Sequence, residues 1–222
     1  MSPTTAEIKK QDIIDQLIWD NRIDANDVYV TVRDDVVILH GTVPSYAAKV
    51  AAGKDAYQVE GVSRVENELK VEFPAEMERP EDRAITENIE KKLIWNSQVN
   101  SANIKVQTSA GVVSLTGSVD SFWEKIMAED IALYTHGVAD VINKLSVAVT
   151  KSVLDIDIEQ DIKSTYRRSG LTGHDDITVS VTNGIVRLSG TVPSYSVKRQ
   201  AYNIAKFTSG VVEVIDDLAI GR

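Results

Sequence analysis

Apolar residues recur along this chain in two rhythms, one helical and one alternating, and the rhythms follow each other in the same order three times. Ile13 and Leu17, Ile89 and Leu93, then Ile162 and Tyr166 stand four apart, the spacing that stacks side chains on one helix face. Strict alternation comes next, in Val28-Val30-Val32, Ile104-Val106 and Ile177-Val179-Val181, and predicts a strand with one buried face. A short polar triplet then predicts a hairpin turn: Arg33-Asp34-Asp35, Ser109-Ala110-Gly111 or Thr182-Asn183-Gly184. Asn183-Gly184 is the strongest of the three signals, because both residues tolerate positive φ. A second apolar run, from Val36, Val112 or Ile185, leads into a glycine.

That glycine sets the register of the whole chain. Gly41, Gly117 and Gly190 are separated by steps of 76 and 73 residues, and Gly61, Gly137 and Gly210 recur at the same two steps. Two landmarks in one register establish three copies of a single unit. The first glycine of each copy is expected where a strand ends and reverses towards a helix, permitting a backbone angle or a close approach that a Cβ would obstruct. Ser45, Ser121 and Ser194 then act as N-caps, with Ser121 and Glu124 at capping-box spacing. Ala52/Ala56, Ala128/Ala132 and Ala201/Ala205 let the second helix lie close on its sheet, and the second glycine is expected to stop that helix. A last alternating run closes each copy.

The pattern therefore predicts an α+β protein of three tandem αββαβ units, each a small mixed three-stranded sheet with two helices on one face. The expected domains are 6–73, 84–150 and 155–222. "PAEMERPEDR", charged and carrying two prolines, reads as a spacer, and "TKSVLD" as nearly direct coupling. Units of about 65 residues lie near the lower size limit for independent stability, so packing on another copy would help each one.

Composition narrows the function more by exclusion than by assignment. The net charge of −9 repels phosphate backbones, and the basic residues form only isolated pairs, so no nucleic-acid partner is expected. There is no Cys, which removes disulfides, thiolate metal sites and cysteine nucleophiles. No apolar run has the length of a membrane-spanning helix. The start, "MSPTTAEIKKQDII", has no secretory pattern, so the sequence as written is expected to be cytoplasmic.

The strand–GxV–Ser–helix order and the "GV..V.N.L.V" ending resemble the BON domain, named for bacterial osmotically induced and nodulation proteins. "GTVPS" with "GVSRVENELKV", "GSVDS" with "GVADVINKLSV", and "GTVPS" with "GVVEVIDDLAI" carry the likeness through nearly the whole chain. The resemblance implies an αββαβ fold and a non-catalytic module linked to envelope maintenance, osmotic stress, phospholipid contact and the handling of ions or small molecules. Many relatives carry a signal peptide or lipoprotein cysteine, so a periplasmic or membrane-associated location is the alternative. Under the resemblance, Gly41, Gly61, Gly117, Gly137, Gly190 and Gly210 are residues of the fold and not of a reactive site.

Candidate chemistry is sparse. His40, His136 and His174 fall at polar strand-end or loop positions and read as structural or solvated. "DIDIEQD" at 155–161 lacks the glycine and the final acid of a calcium loop, and suits a solvated helix start instead. No Ser-His-Asp order, phosphate loop or zinc motif occurs, so neither an enzyme nor a cofactor is expected.

The helix flanks say more. Ile18-Trp19 and Ile94-Trp95 occupy equivalent positions, where the third copy has Arg167-Arg168. Relative to Leu17, residue 18 lies about 100° and residue 19 about 200° around the helix, so the tryptophans face away from the core stripe. Trp123 stands where the other copies have Ala47 and Ser196. Three uses are open for these five residues: packing between copies, a homo-oligomer interface, or a lipid or ligand surface. The corresponding functional expectations are a self-associating binding or scaffold protein, a transport-associated oligomer for small solutes, ions or antibiotics, and a phospholipid-binding surface protein.

Overall fold

The computed structural model describes residues 4–74, 78–148, 153–171 and 177–221. Parts of both predicted linkers, residues 75–77 and 149–152, lie outside the described residues, as does His174. The three sequence repeats become three small sheets, each accompanied by two helices.

The first repeat runs α1 (Thr5–Trp19), β1 (Val28–Arg33), β2 (Val36–Val43), α2 (Tyr46–Ala56), β3 (Arg64–Asn67) and β4 (Lys70–Val71). The second runs α3 (Asp82–Trp95), β5 (Ile104–Ser109), β6 (Val112–Val119), α4 (Phe122–Leu133) and β7 (Asp140–Val147). The third runs α5 (Asp155–Arg168), β8 (Thr178–Thr182), β9 (Ile185–Val192), α6 (Tyr195–Phe207) and β10 (Glu213–Ile220). By backbone packing the chain divides into two compact units. One gathers the first repeat and the start of α3, to Ile85, with residues 108–113 and 133–140, and the other gathers the rest of the second repeat with the third.

The sheets are mixed, as the sequence predicts. The second strand of each repeat is central: β1-β2-β3, β5-β6-β7 and β8-β9-β10. β1 and β8 pair antiparallel with their central strands through tight hairpins, whereas β3, β4 and β10 pair parallel. A parallel partner requires a crossover, and the second helix of the repeat provides it. In the first repeat the closing strand is split at Glu68-Leu69, and its end, β4, pairs with β2 at Thr42 and Val43.

Helix periodicity appears directly as burial. Ile13, Leu17, Ile89, Leu93 and Ile162 are fully buried, as are the paired alanines Ala52/Ala56, Ala128/Ala132 and Ala201/Ala205 of the second helices. Tyr166 fills the place of Leu17 and Leu93, and its hydroxyl donates to the Ala201 carbonyl at 3.0 Å, which satisfies a polar group that burial would otherwise strand. Ser45 and Ser194 cap α2 and α6 by accepting from Ala48 N and Val197 N. Ser121 Oγ accepts from Glu124 N at 3.2 Å and lies 3.4 Å from Glu124 Oε1.

The first glycine of each copy holds the special backbone angle expected of it, and Gly41 and Gly117 also the close approach, but from inside a strand rather than at its end. Gly41, Gly117 and Gly190 lie inside β2, β6 and β9, two residues before those strands end, with φ between +111° and +122°. A Cβ on Gly41 would stand 2.0 Å from the Asp27 carbonyl oxygen, and on Gly117 1.9 Å from that of Asn103. The neighbouring chain crosses too closely for any side chain, and Thr42 N donates to that same Asp27 oxygen at 3.0 Å. Gly61, Gly137 and Gly210, by contrast, are not the expected helix stops: they follow the ends of α2, α4 and α6 by several residues and press on the first helix of their own repeat. Their nearest neighbours include Lys9 for Gly61, Ile85 for Gly137, and Val153 with Ile158 for Gly210.

Candidate functional site

Each hairpin is tied to the first helix of its repeat, and the tie changes chemistry between repeats. In the second, Asp82 accepts from both turn amides, Ala110 N at 2.7 Å and Gly111 N at 2.9 Å. Asp155 does the same in the third with Asn183 N at 2.7 Å and Gly184 N at 2.8 Å. The first repeat has Ala6 at the equivalent position and Asp35 in place of the turn glycine. There Lys9, standing where the others have buried Ile85 and Ile158, reaches Asp35 Oδ1 and the Gly61 carbonyl, each at 2.7 Å. Asp155, part of the acidic run singled out above, thus fastens a turn.

A second tie explains the "N.L" in the closing strand. Asn67 Nδ2 donates to the Lys49 carbonyl at 2.7 Å, while Asn67 Oδ1 accepts from Leu69 N at 3.3 Å. Asn143 repeats this with the Lys125 carbonyl and Leu145 N. In the third repeat Asp216 has no proton to donate, and the cation of Lys198 lies 3.5 Å from Asp216 and donates to the Leu218 carbonyl. These ties position the helices whose outer faces carry the candidate residues.

Trp19 and Trp95 end α1 and α3 at 83% and 88% exposure. Ile18 and Ile94 are exposed beside them. Arg167 and Arg168 are exposed at the matching end of α5, and Arg168 donates to Ser164 and Thr165. Trp123 behaves differently. Half-buried on α4, it packs against Phe207 of the third repeat, ring centroids 4.6 Å apart, with Lys206 Nζ 4.8 Å from its centroid. Its neighbour Phe122 is buried in the third repeat's core cluster. Trp123, Lys206, Phe207, Val147 and Val211 line a cleft of ≈ 260 Å³. Sequence reading found Trp123 but missed Phe207, its partner.

One ionisable cluster also went unseen. Asp55, near the end of α2, is only 4% exposed and neighbours the carboxylate of Asp20, the residue that follows α1. Arg22 chelates Asp20: Nε lies 2.9 Å from both carboxylate oxygens, and the guanidinium terminus makes a further bond. These bonds hold Asp20 well below the usual carboxylate range. Burial, and next the Asp20 carboxylate, push Asp55 up to about 6. An acid at a position that is Ile131 and Ile204 in the other copies was the signal in the sequence.

The two described histidines, His40 and His136, bring nothing together. His40 is exposed and stacked on Tyr29, ring centroids 5.6 Å apart, and His136 is exposed. Among the described residues no three His, Cys, Asp or Glu side chains converge as a metal site, and no helix is long and apolar enough to cross a membrane.

Comparison with known proteins agrees with the internal repeat. The chain is 37% identical over 144 residues to Osmotically-inducible protein Y of Escherichia coli (strain K12), an alignment covering 62% of this chain and 72% of that protein. It is 30% identical over 127 residues to an uncharacterised protein in the gshII 5′ region of Anaplasma centrale, covering 56% of this chain and 83% of that one. A structure of CdsD, a structural protein of the type III secretion system of Chlamydia trachomatis, aligns over 95% of this chain and 91% of its own, at 16% identity and a TM-score of 0.28. A score that low carries no argument. The BON domain profile matches residues 6–72, 81–149 and 155–222. With three matches spanning nearly its whole length, each on one αββαβ repeat, the chain belongs to the BON domain family.

Proposed function

We propose that this protein is a non-enzymatic scaffold of tandem BON domains that self-associates through the tryptophan-bearing ends of α1 and α3 and serves the response to osmotic stress. The observation that carries the reading is the pair Trp19 and Trp95, exposed at equivalent positions on helices whose cores are already filled by Ile13, Leu17, Ile89 and Leu93. A tryptophan buries about 150–250 Å² when covered, and at each of the two helix ends such a ring beside an exposed isoleucine forms the kind of apolar patch that marks a contact surface. Arg167-Arg168 in the third repeat argues that the fold itself does not require an apolar pair there. A second copy suits the patch better than an anionic membrane, because the net charge of −9 opposes the latter. The osmotic assignment rests on the likeness to Osmotically-inducible protein Y. That likeness favours the periplasmic alternative over the cytoplasmic one. A transport-associated oligomer would use the same assembly, with solute passage as an added property.

The test is sedimentation and thermal melting of Trp19→Ser with Trp95→Ser. Loss of assembly with an unchanged melt supports the proposal. A monomeric parent, or a double variant that assembles as the parent does, overturns it.

A further inference from the structure

Asp55 is out of place by the protein's own internal comparison. Its equivalents are Ile131 and Ile204, Asp20 corresponds to Asn96 and Ser169, and Arg22 to Gln98 and Leu171, so the acid cluster belongs to the first repeat alone. Asp55 Oδ1 accepts from Gln58 Nε2 at 3.1 Å, but Oδ2 is buried with no donor to meet it. The neighbouring side chain is Asp20, whose oxygens are already taken by the guanidinium and backbone amide of Arg22. Two neighbouring carboxyl groups that share one cation do not both ionise readily in a buried place. Every polar atom is satisfied if Oδ2 carries a proton and donates it to Asp20.

We propose that Asp55 and Asp20 form a proton-operated clasp between the ends of α2 and α1, closed while Asp55 is protonated and loosened when it ionises. Asp55 Oδ2–H donates, Asp20 accepts, and Arg22 holds Asp20 charged and in place. The charged groups around Asp55 pull in opposite directions. Asp20 opposes ionisation, Arg22 and Lys54 favour it, and burial outweighs both cations. Tyr134 also lies within electrostatic reach of Arg22. The carbonyl end of α2 adds a further term against a negative charge.

The direction of the pH effect follows. An unfolded Asp titrates near 3.9, whereas folded Asp55 releases its proton at about 6. Between those values the folded repeat keeps a proton that the unfolded chain has lost, so stability falls as pH rises and levels off above about 6. Asp20 acts oppositely: its depressed value gives stability that is lost only in stronger acid. The first repeat is therefore firmest in mild acid. Trp19 immediately precedes Asp20, which sets the clasp at the base of the exposed end of α1.

Carboxyl-detected NMR titration of the full chain, with thermal melting between pH 4.5 and 7.5, tests this. The expected result is an Asp55 midpoint near 6 and a melting transition that moves down across the same window. Asp55→Ile, which installs the residue of the other repeats, removes that downward movement and raises the melt at pH 7.5. Asp55→Asn, which keeps a donor at every pH, also flattens the profile and covers the case in which the isoleucine variant does not fold. An Asp55 midpoint in the ordinary carboxylate range overturns the clasp. So does a folded variant with the same pH slope as the parent.

Discussion

Asn143 Nδ2 lies 2.9 Å from the Lys125 carbonyl, and in the third repeat the equivalent pair, Asp216 and Lys198, has exchanged donor and acceptor roles. Asn143 joins the closing strand to the helix above it with a neutral side chain that both donates and accepts. Asp216 only accepts, so the lysine turns inward. Replacing Asn143 with Ala removes its bonds to the Lys125 carbonyl, Glu129 and Leu145 N and is expected to cost about 1–3 kcal/mol. Asp216→Asn installs the residue of the other copies and is expected to change stability by less than about 1 kcal/mol. Chemical denaturation of the two variants checks the contrast; equal losses would mean the ties are incidental.

Gly117 has room for no side chain. A Cβ 1.9 Å from the Asn103 carbonyl oxygen, on a backbone with φ of +113°, forces the strand and the preceding segment apart. Gly117→Ala is expected to destabilise the second repeat by about 3 kcal/mol or more. Differential scanning calorimetry resolves this as one transition moving away from the others. A melt that does not move would refute the close approach.

The hairpin of the third repeat depends on a single carboxylate. Asp155→Ala leaves the amides of Asn183 and Gly184 without their acceptor, and the expected loss is about 1.5–3 kcal/mol, the range for bonds to a charged group. Asp155→Asn offers one oxygen in place of two and falls between parent and alanine. Hydrogen exchange at the two amides is the direct measurement: protection falls in both variants, most in alanine.

Vesicle binding separates the tryptophan surfaces from a lipid role. With a net charge of −9, flotation with anionic vesicles at physiological salt is expected to recover little protein. Strong, salt-insensitive flotation, lost in Trp19→Ser with Trp95→Ser, would assign the exposed rings to membrane insertion instead.

Elements governed by local rhythm were legible in the sequence. Ile13 with Leu17, the alanine pairs and the serine caps are short-range features, and the threefold repeat read each one three times. Contacts between distant segments were not. Gly41 is obligatory because the Asp27 carbonyl crosses it, and nothing near Gly41 in sequence announces that neighbour. The asparagine of "N.L" stood within the family pattern, yet its meaning lies in a helix carbonyl 18 residues away. Trp123 was conspicuous as a departure from Ala47 and Ser196, but Phe207 looked ordinary until the second and third repeats were seen to share it. Asp55 was visible only when the copies were compared column by column.

The changing hairpin tie also bears on how three similar units fold from one chain without exchanging parts. Neighbouring repeats offer each other nearly interchangeable helices and hairpins, and misassembly between tandem copies is the characteristic hazard of such arrays. If α3 docked on the hairpin of the first repeat, Asp82 would meet Asp35, acid against acid. If α1 docked on the hairpin of the second, Lys9 would bury its ammonium where Ile85 belongs and find Gly111 in place of a carboxylate. Each wrong pairing carries an electrostatic or desolvation penalty absent from the right one. Lys9 with Asp35, and Asp82 with its bare turn amides, thus act as address labels that separate the first repeat from the second, whereas the second and third share one label.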